Sequence, residues 1–160
     1  MDYRTIEGVT EIFRSVNCIG EDNCFFITYK NTNRASFKYV TGGALGALAA
    51  GMVEGMENAD GFLINATENG LGIIPMKGPT FVLKVVPSKM EPEIDKFIFV
   101  KNEDIEDIEI KNFNIFNKKI QKVNITLKGQ STFYQLANIT DKDIPYHEAN
   151  FNKFMSKYKK

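Results

Sequence analysis

The stretch from Lys96 to Asn138 constrains the fold more than any other part of this chain. Phe97, Ile98, Phe99 and Val100 form a short apolar run. Val123, Ile125 and Leu127 alternate with Asn124, Thr126 and Lys128. A period of two marks a strand with one buried face. Lys128-Gly129-Gln130 offers a turn, because glycine tolerates positive φ, and Phe133 to Ala137 supplies the returning strand. The region reads as consecutive strands joined by tight polar turns.

The rest of the chain adds further strands and two helices. Ile6, Val9, Ile12, Phe13 and Val16 recur near helical spacing and predict an amphipathic helix over 5–16. Cys24 to Lys30 is rich in aromatic and β-branched residues and predicts a strand, with Arg34 to Tyr39 as its partner. Phe62 to Ala66 and Leu71 to Ile74 flank Asn69-Gly70, the favoured pair for a type I′ hairpin loop. Thr80 to Val86 predicts another strand, and Pro87 to Asp95 an acidic loop. Phe151, Phe154, Met155 and Tyr158 form the stripe of a closing helix over 144–158, with Asp143 as its cap and Pro145 in its first turn.

A chain of 160 residues fits one domain over 1–160 with a substantial core. An apolar fraction of 43% and a charged fraction of 25% argue against disorder. Zero formal net charge argues against a nucleic-acid partner. Cys18 and Cys24 have no second cysteine pair or histidine cluster to complete a zinc site. They are expected as reduced thiols of a cytoplasmic protein; a disulfide would suit an exported one. The N-terminus does not read as a signal peptide, and no apolar run reaches the length of a spanning helix.

Residues 40–57 have another character. Gly42, Gly46 and Ala50 repeat every four residues, as do Ala47, Gly51 and Gly55. On a helix each set makes a smooth stripe that a second backbone can approach closely. Glycine costs up to about 1 kcal/mol per helical position, so packing must offset it. The run lacks the Lys-Ser/Thr of a phosphate loop. Two uses remain: close packing against the domain or a second subunit, and contact with an anionic membrane. Lys30, Arg34 and Lys38 precede the run and suit the second use.

Elsewhere the chemistry is sparse. The one histidine, His147, has no nucleophile motif nearby and is expected to be structural or on the surface. Glu103, Asp104, Glu106, Asp107 and Glu109 read as a solvated edge, without the spacing of a calcium loop. Lys111, Lys118, Lys119, Lys122 and Lys128 form a basic set that either attracts an anionic partner or balances that acidic run.

From about Cys24 to Tyr158 the chain resembles the bacterial pleckstrin-homology-like and GRAM-type domains. The features that carry this are Phe97 to Val100, the Asp104 to Ile110 strand, the hairpin around Gly129 and the final helix ending Phe154 to Tyr158. The resemblance implies a bent, seven-stranded antiparallel barrel over 24–138, interrupted by the 40–57 insertion and capped by the C-terminal helix. It also implies a non-catalytic binding module. In lipid-binding members a basic pair after the first strand holds inositol phosphates; the comparable segment here offers Lys30, Arg34 and Lys38 at a different spacing.

The expectation is therefore an α+β, mainly β protein with no catalytic residue, cofactor or metal. It would serve as an interaction scaffold, binding a protein partner or another copy through Gly42, Gly46, Ala50, Gly51 and Gly55. The alternative is a peripheral membrane module using residues 40–55 with Lys30, Arg34 and Lys38.

Overall fold

The structure is a computed structural model that describes residues 1–31, 37–38, 55–79, 85–128 and 131–159. Helix α1 (Ile6–Ser15) begins where the Thr5 side chain accepts the Gly8 N–H. Strands β1 (Asn23–Lys30), β2 (Phe37–Lys38), β3 (Gly61–Thr67) and β4 (Gly70–Lys77) follow. Then come β5 (Glu91–Pro92), β6 (Ile98–Lys101), β7 (Ile105–Asn112), β8 (Ile120–Leu127) and β9 (Ser131–Asn138). Helix α2 (His147–Tyr158) closes the chain.

Among the described residues these nine strands form one antiparallel sheet in the order β5-β4-β3-β1-β9-β8-β7. β6 shares the outer edge of β4 with β5, and β2 follows β1 along the edge of β9. Phe26, Phe62 and Ile73 from one half of the sheet share a cluster with Ile110, Val123 and Phe133 from the other half. One continuous sheet reaches one cluster from both halves only by folding over around it. Phe151, Phe154 and Met155 of α2 fill the same cluster, and Phe26 lies 4.4 Å from Phe154 between ring centroids.

The opposite face of β1, β3 and β4 meets α1. Phe25, Ile27, Leu63 and Ile74 pack there with Val9, Ile12 and Phe13. Successive residues of β1 thus enter different cores, and Cys24 to Tyr29 are all buried. β8 alternates between buried and half-buried positions, as its Val-Asn-Ile-Thr-Leu pattern predicts.

Several expectations need correction. The β3–β4 loop residues are Glu68 and Asn69, not Asn69 and Gly70, because Thr67 pairs with Gly70. The Glu68 carboxylate is held by the N–H groups of Glu21 and Asp22, each at 3.0 Å. Gly70 opens β4 at φ 154°, where a Cβ would collide with the Val100 carbonyl oxygen of β6. Close approach by β6 therefore requires this glycine.

The partner of β1 is β3; the described part of the expected Arg34 to Tyr39 strand pairs with β9. Val85 and Val86 carry no strand, and residues 80–84 of that expectation lie outside the described residues. The 87–95 segment holds 3-10 turns at Pro87–Lys89 and Ile94–Lys96 around β5. Helix α2 starts at His147 rather than 144, and Asp143 does not cap it. The Asp143 N–H bonds to Asp141 Oδ1 and its carboxylate accepts from Ser88 Oγ at 3.4 Å. Ile6 faces solvent and stands outside the α1 stripe.

Candidate functional site

The chemistry-bearing side chains converge where the sheet opens between β1 and β9. These strands pair only at Tyr29 with Leu136 and Lys30 with Gln135. Before that point the free edge of β1 faces α2. The Ile27 N–H donates to His147 Nδ1 at 3.2 Å. Nε2 therefore carries the ring proton and donates to the Asn138 carbonyl of β9 at 2.6 Å. Three residues along the helix, Asn150 Nδ2 donates to the Phe25 carbonyl at 3.0 Å. The Asn150 carbonyl in turn accepts from Cys24 Sγ at 3.0 Å. The helix thus satisfies backbone groups that a paired strand would have taken. Burial holds His147 below its ordinary pKa, with the Asn138 carbonyl opposing that shift.

The thiols are equally absorbed by the fold. Both cysteines are free and buried. Cys18 lies over Gly72, leaving no room there for a Cβ. Burial pushes each thiol up to about 11, which keeps the reactive thiolate scarce at neutral pH. Among the described residues no three His, Cys, Asp or Glu side chains group as metal ligands, and every buried side-chain nitrogen or oxygen has a partner.

A cleft of about 770 Å³ lies between the N-terminal segment and the start of α2, with Arg4, Ile6, Asp143 and Tyr146 in its wall. Asp2, Arg4, Thr5, Asp143 and Tyr146 in that wall are engaged, while Glu7 is exposed. Arg4 pairs with Asp2 at 2.7 Å and donates to the Ser88 carbonyl at 3.2 Å. Tyr146 donates its hydroxyl to the Tyr3 carbonyl, and Tyr3 donates to the Pro87 carbonyl. Burial drives Tyr146 far above the usual phenol range and Tyr3 to about 12. These contacts tie the two ends of the chain to the 87–88 turn.

Of the residues predicted to form an interaction site, Gly42, Gly46, Ala50, Gly51 and Arg34 lie outside the described residues. The backbones of Lys30 and Lys38 lie opposite Gln135 and Thr132 of β9, about 10 Å apart along that strand. Gly55 lies in a helical turn described over 55–57, and a Cβ there would lie 3.3 Å from Lys96 Cδ. Met56 and Ala59 are buried in the inner cluster. Asp60 then fixes this exit: its carbonyl accepts from Lys30 N–H at 2.7 Å and its carboxylate from Gly78 N–H at 2.8 Å. Lys77 adds an ion pair to that carboxylate at 3.6 Å.

Glu106, Asp107 and Glu109 of the acidic run lie on β7, an end strand among the described residues with a bulge between Ile105 and Asp107, while Glu103 and Asp104 lie on the 3-10 turn before it. The basic set is divided: Lys128 stands at the opposite end of β8 from Lys118, Lys119 and Lys122. Sequence reasoning missed Ile115 and Phe116 on the β7–β8 connection, which are 80% and 91% exposed. Their bracketing by Asn114 and Asn117 was the available signal. No protein-family model, curated protein or solved structure matches this chain. The class that fold and site define is an α+β protein with one curled antiparallel sheet and a helix against each face.

Proposed function

We propose that this chain is a non-catalytic interaction scaffold built on a pleckstrin-homology-like barrel. Its contact element is the Gly/Ala-rich run, and its first partner is a second copy of itself. Seven of the nine strands have four or more residues, and the terminal helix enters the inner cluster, which supports the barrel assignment. The observation that carries the functional reading is the anchoring of both flanks of the run. β2 is laddered to β9 before it, and Met56, Ala59 and Asp60 are fixed to the sheet after it. A segment presented from two fixed points suits a defined contact.

On an ideal helix Gly42, Gly46 and Ala50 form a stripe distinct from that of Ala47, Gly51 and Gly55, and a second backbone could approach it closely. Light scattering on the full chain is expected to give a mass above one chain of 18.1 kDa. Gly46→Leu is expected to return that mass to the monomer while leaving the circular dichroism unchanged. A monomeric parent protein at every concentration overturns the proposal.

A further inference from the structure

The β7–β8 connection presents two large apolar side chains to water. Ile115 at 80% and Phe116 at 91% are the most exposed large hydrophobics among the described residues. The tip is held in shape by its own hydrogen bonds. Asn114 Oδ1 accepts from the N–H groups of Phe116 at 2.9 Å and Asn117 at 2.6 Å. Asn117 Oδ1 accepts from Lys119 N–H at 3.1 Å, and the Lys119 carbonyl from Ile139 N–H at 2.8 Å. Phe113 and Ile120, at the base, pack against the outer cluster. The apolar pair at the summit has no such place in the fold.

Charge surrounds that summit on one side of the ledger. Lys118 and Lys119 are exposed beside it. Behind it Lys111 and Lys122 are direct cross-strand partners, a placement that like charges disfavour. Among the described residues only Glu109 pairs with one of these lysines, Lys111 at 3.1 Å. From Lys111 to Ile139 the chain contains no acid. Asp141 and Asp143 follow on the next connection, with Lys142 between them.

We infer that this hairpin tip is a membrane-contact element: Ile115 and Phe116 enter an anionic lipid surface while Lys118, Lys119, Lys111 and Lys122 meet its headgroups. A convex two-residue summit is too small for a stable protein interface, which buries about 1,200–2,000 Å² in total. Lipid needs no complementary shape, and apolar insertion with a basic flank is its usual mode of capture. This surface is separate in sequence from the Gly/Ala-rich run and stands independently of the proposal above.

The full chain is to be sedimented with vesicles of phosphatidylcholine alone and of phosphatidylcholine with phosphatidylserine, at low and high salt. Binding is expected to the anionic vesicles at low salt and to weaken at high salt. Phe116→Asp should reduce partitioning roughly tenfold or more with an unchanged melting temperature, since the side chain packs on nothing. Lys118→Glu with Lys119→Glu should abolish the preference for anionic lipid. Failure to bind anionic vesicles at low salt overturns the inference. So does undiminished binding by Phe116→Asp.

Discussion

His147 is neutral inside the fold because burial penalises the imidazolium, while in the unfolded chain it titrates near its ordinary value of 6.5. Between the lowered folded pKa and 6.5 the unfolded chain binds more protons. Stability is therefore fully present above about 6.5 and declines as the pH falls toward the folded pKa, by at most about 1.4 kcal/mol per pH unit for this group. His147→Ala leaves the Ile27 N–H and the Asn138 carbonyl without their partner. Its expected cost is about 3 kcal/mol, read by urea unfolding at pH 7.5. The gap between parent and variant should narrow as the pH is lowered through 6. A constant gap would mean that the imidazole is not the bridge described. The sequence revealed only a lone histidine near a helix start; its partner Ile27 lies 120 residues away. No local pattern encodes such a bond.

At the scale of elements, β7 shows how the sheet protects its end. Glu106 and Asp107 lie at the bulge, and both are exposed. Charge and a bulge on an end strand discourage pairing with another molecule. Glu106→Val with Asp107→Val is expected to change stability by less than about 0.5 kcal/mol. It should still raise aggregation on prolonged incubation, measured by turbidity. Unchanged turbidity would show that the acids do not guard this edge. β7 and β8 were legible because one face of each is exposed or half-exposed and the period of two survives. β1, β3 and β4 were legible as strands but not as a double-sided layer, since both faces are buried and the alternation disappears. The hairpin at Asn69-Gly70 was misplaced by one residue because remote groups, the Glu21 and Asp22 amides and the Val100 carbonyl, decide it. The apolar pair Ile115-Phe116 was overlooked because two hydrophobic residues look the same in sequence whether a core receives them or not.

At the scale of the whole molecule, one sheet wraps an inner cluster, α2 closes its gap, and α1 covers the outer face of its first half. Histidine, cysteine and most buried polar groups are spent on holding this arrangement. Two features remain for function: the Gly/Ala-rich run between β2 and residues 55–57, and the basic, apolar hairpin tip. The central claim is that the run is where two copies meet. Amide hydrogen exchange of peptides spanning residues 40–55, followed at low and high protein concentration, tests it most directly. The account expects exchange in those peptides to slow as concentration rises, with peptides from β1 unchanged. Identical exchange at both concentrations would contradict it.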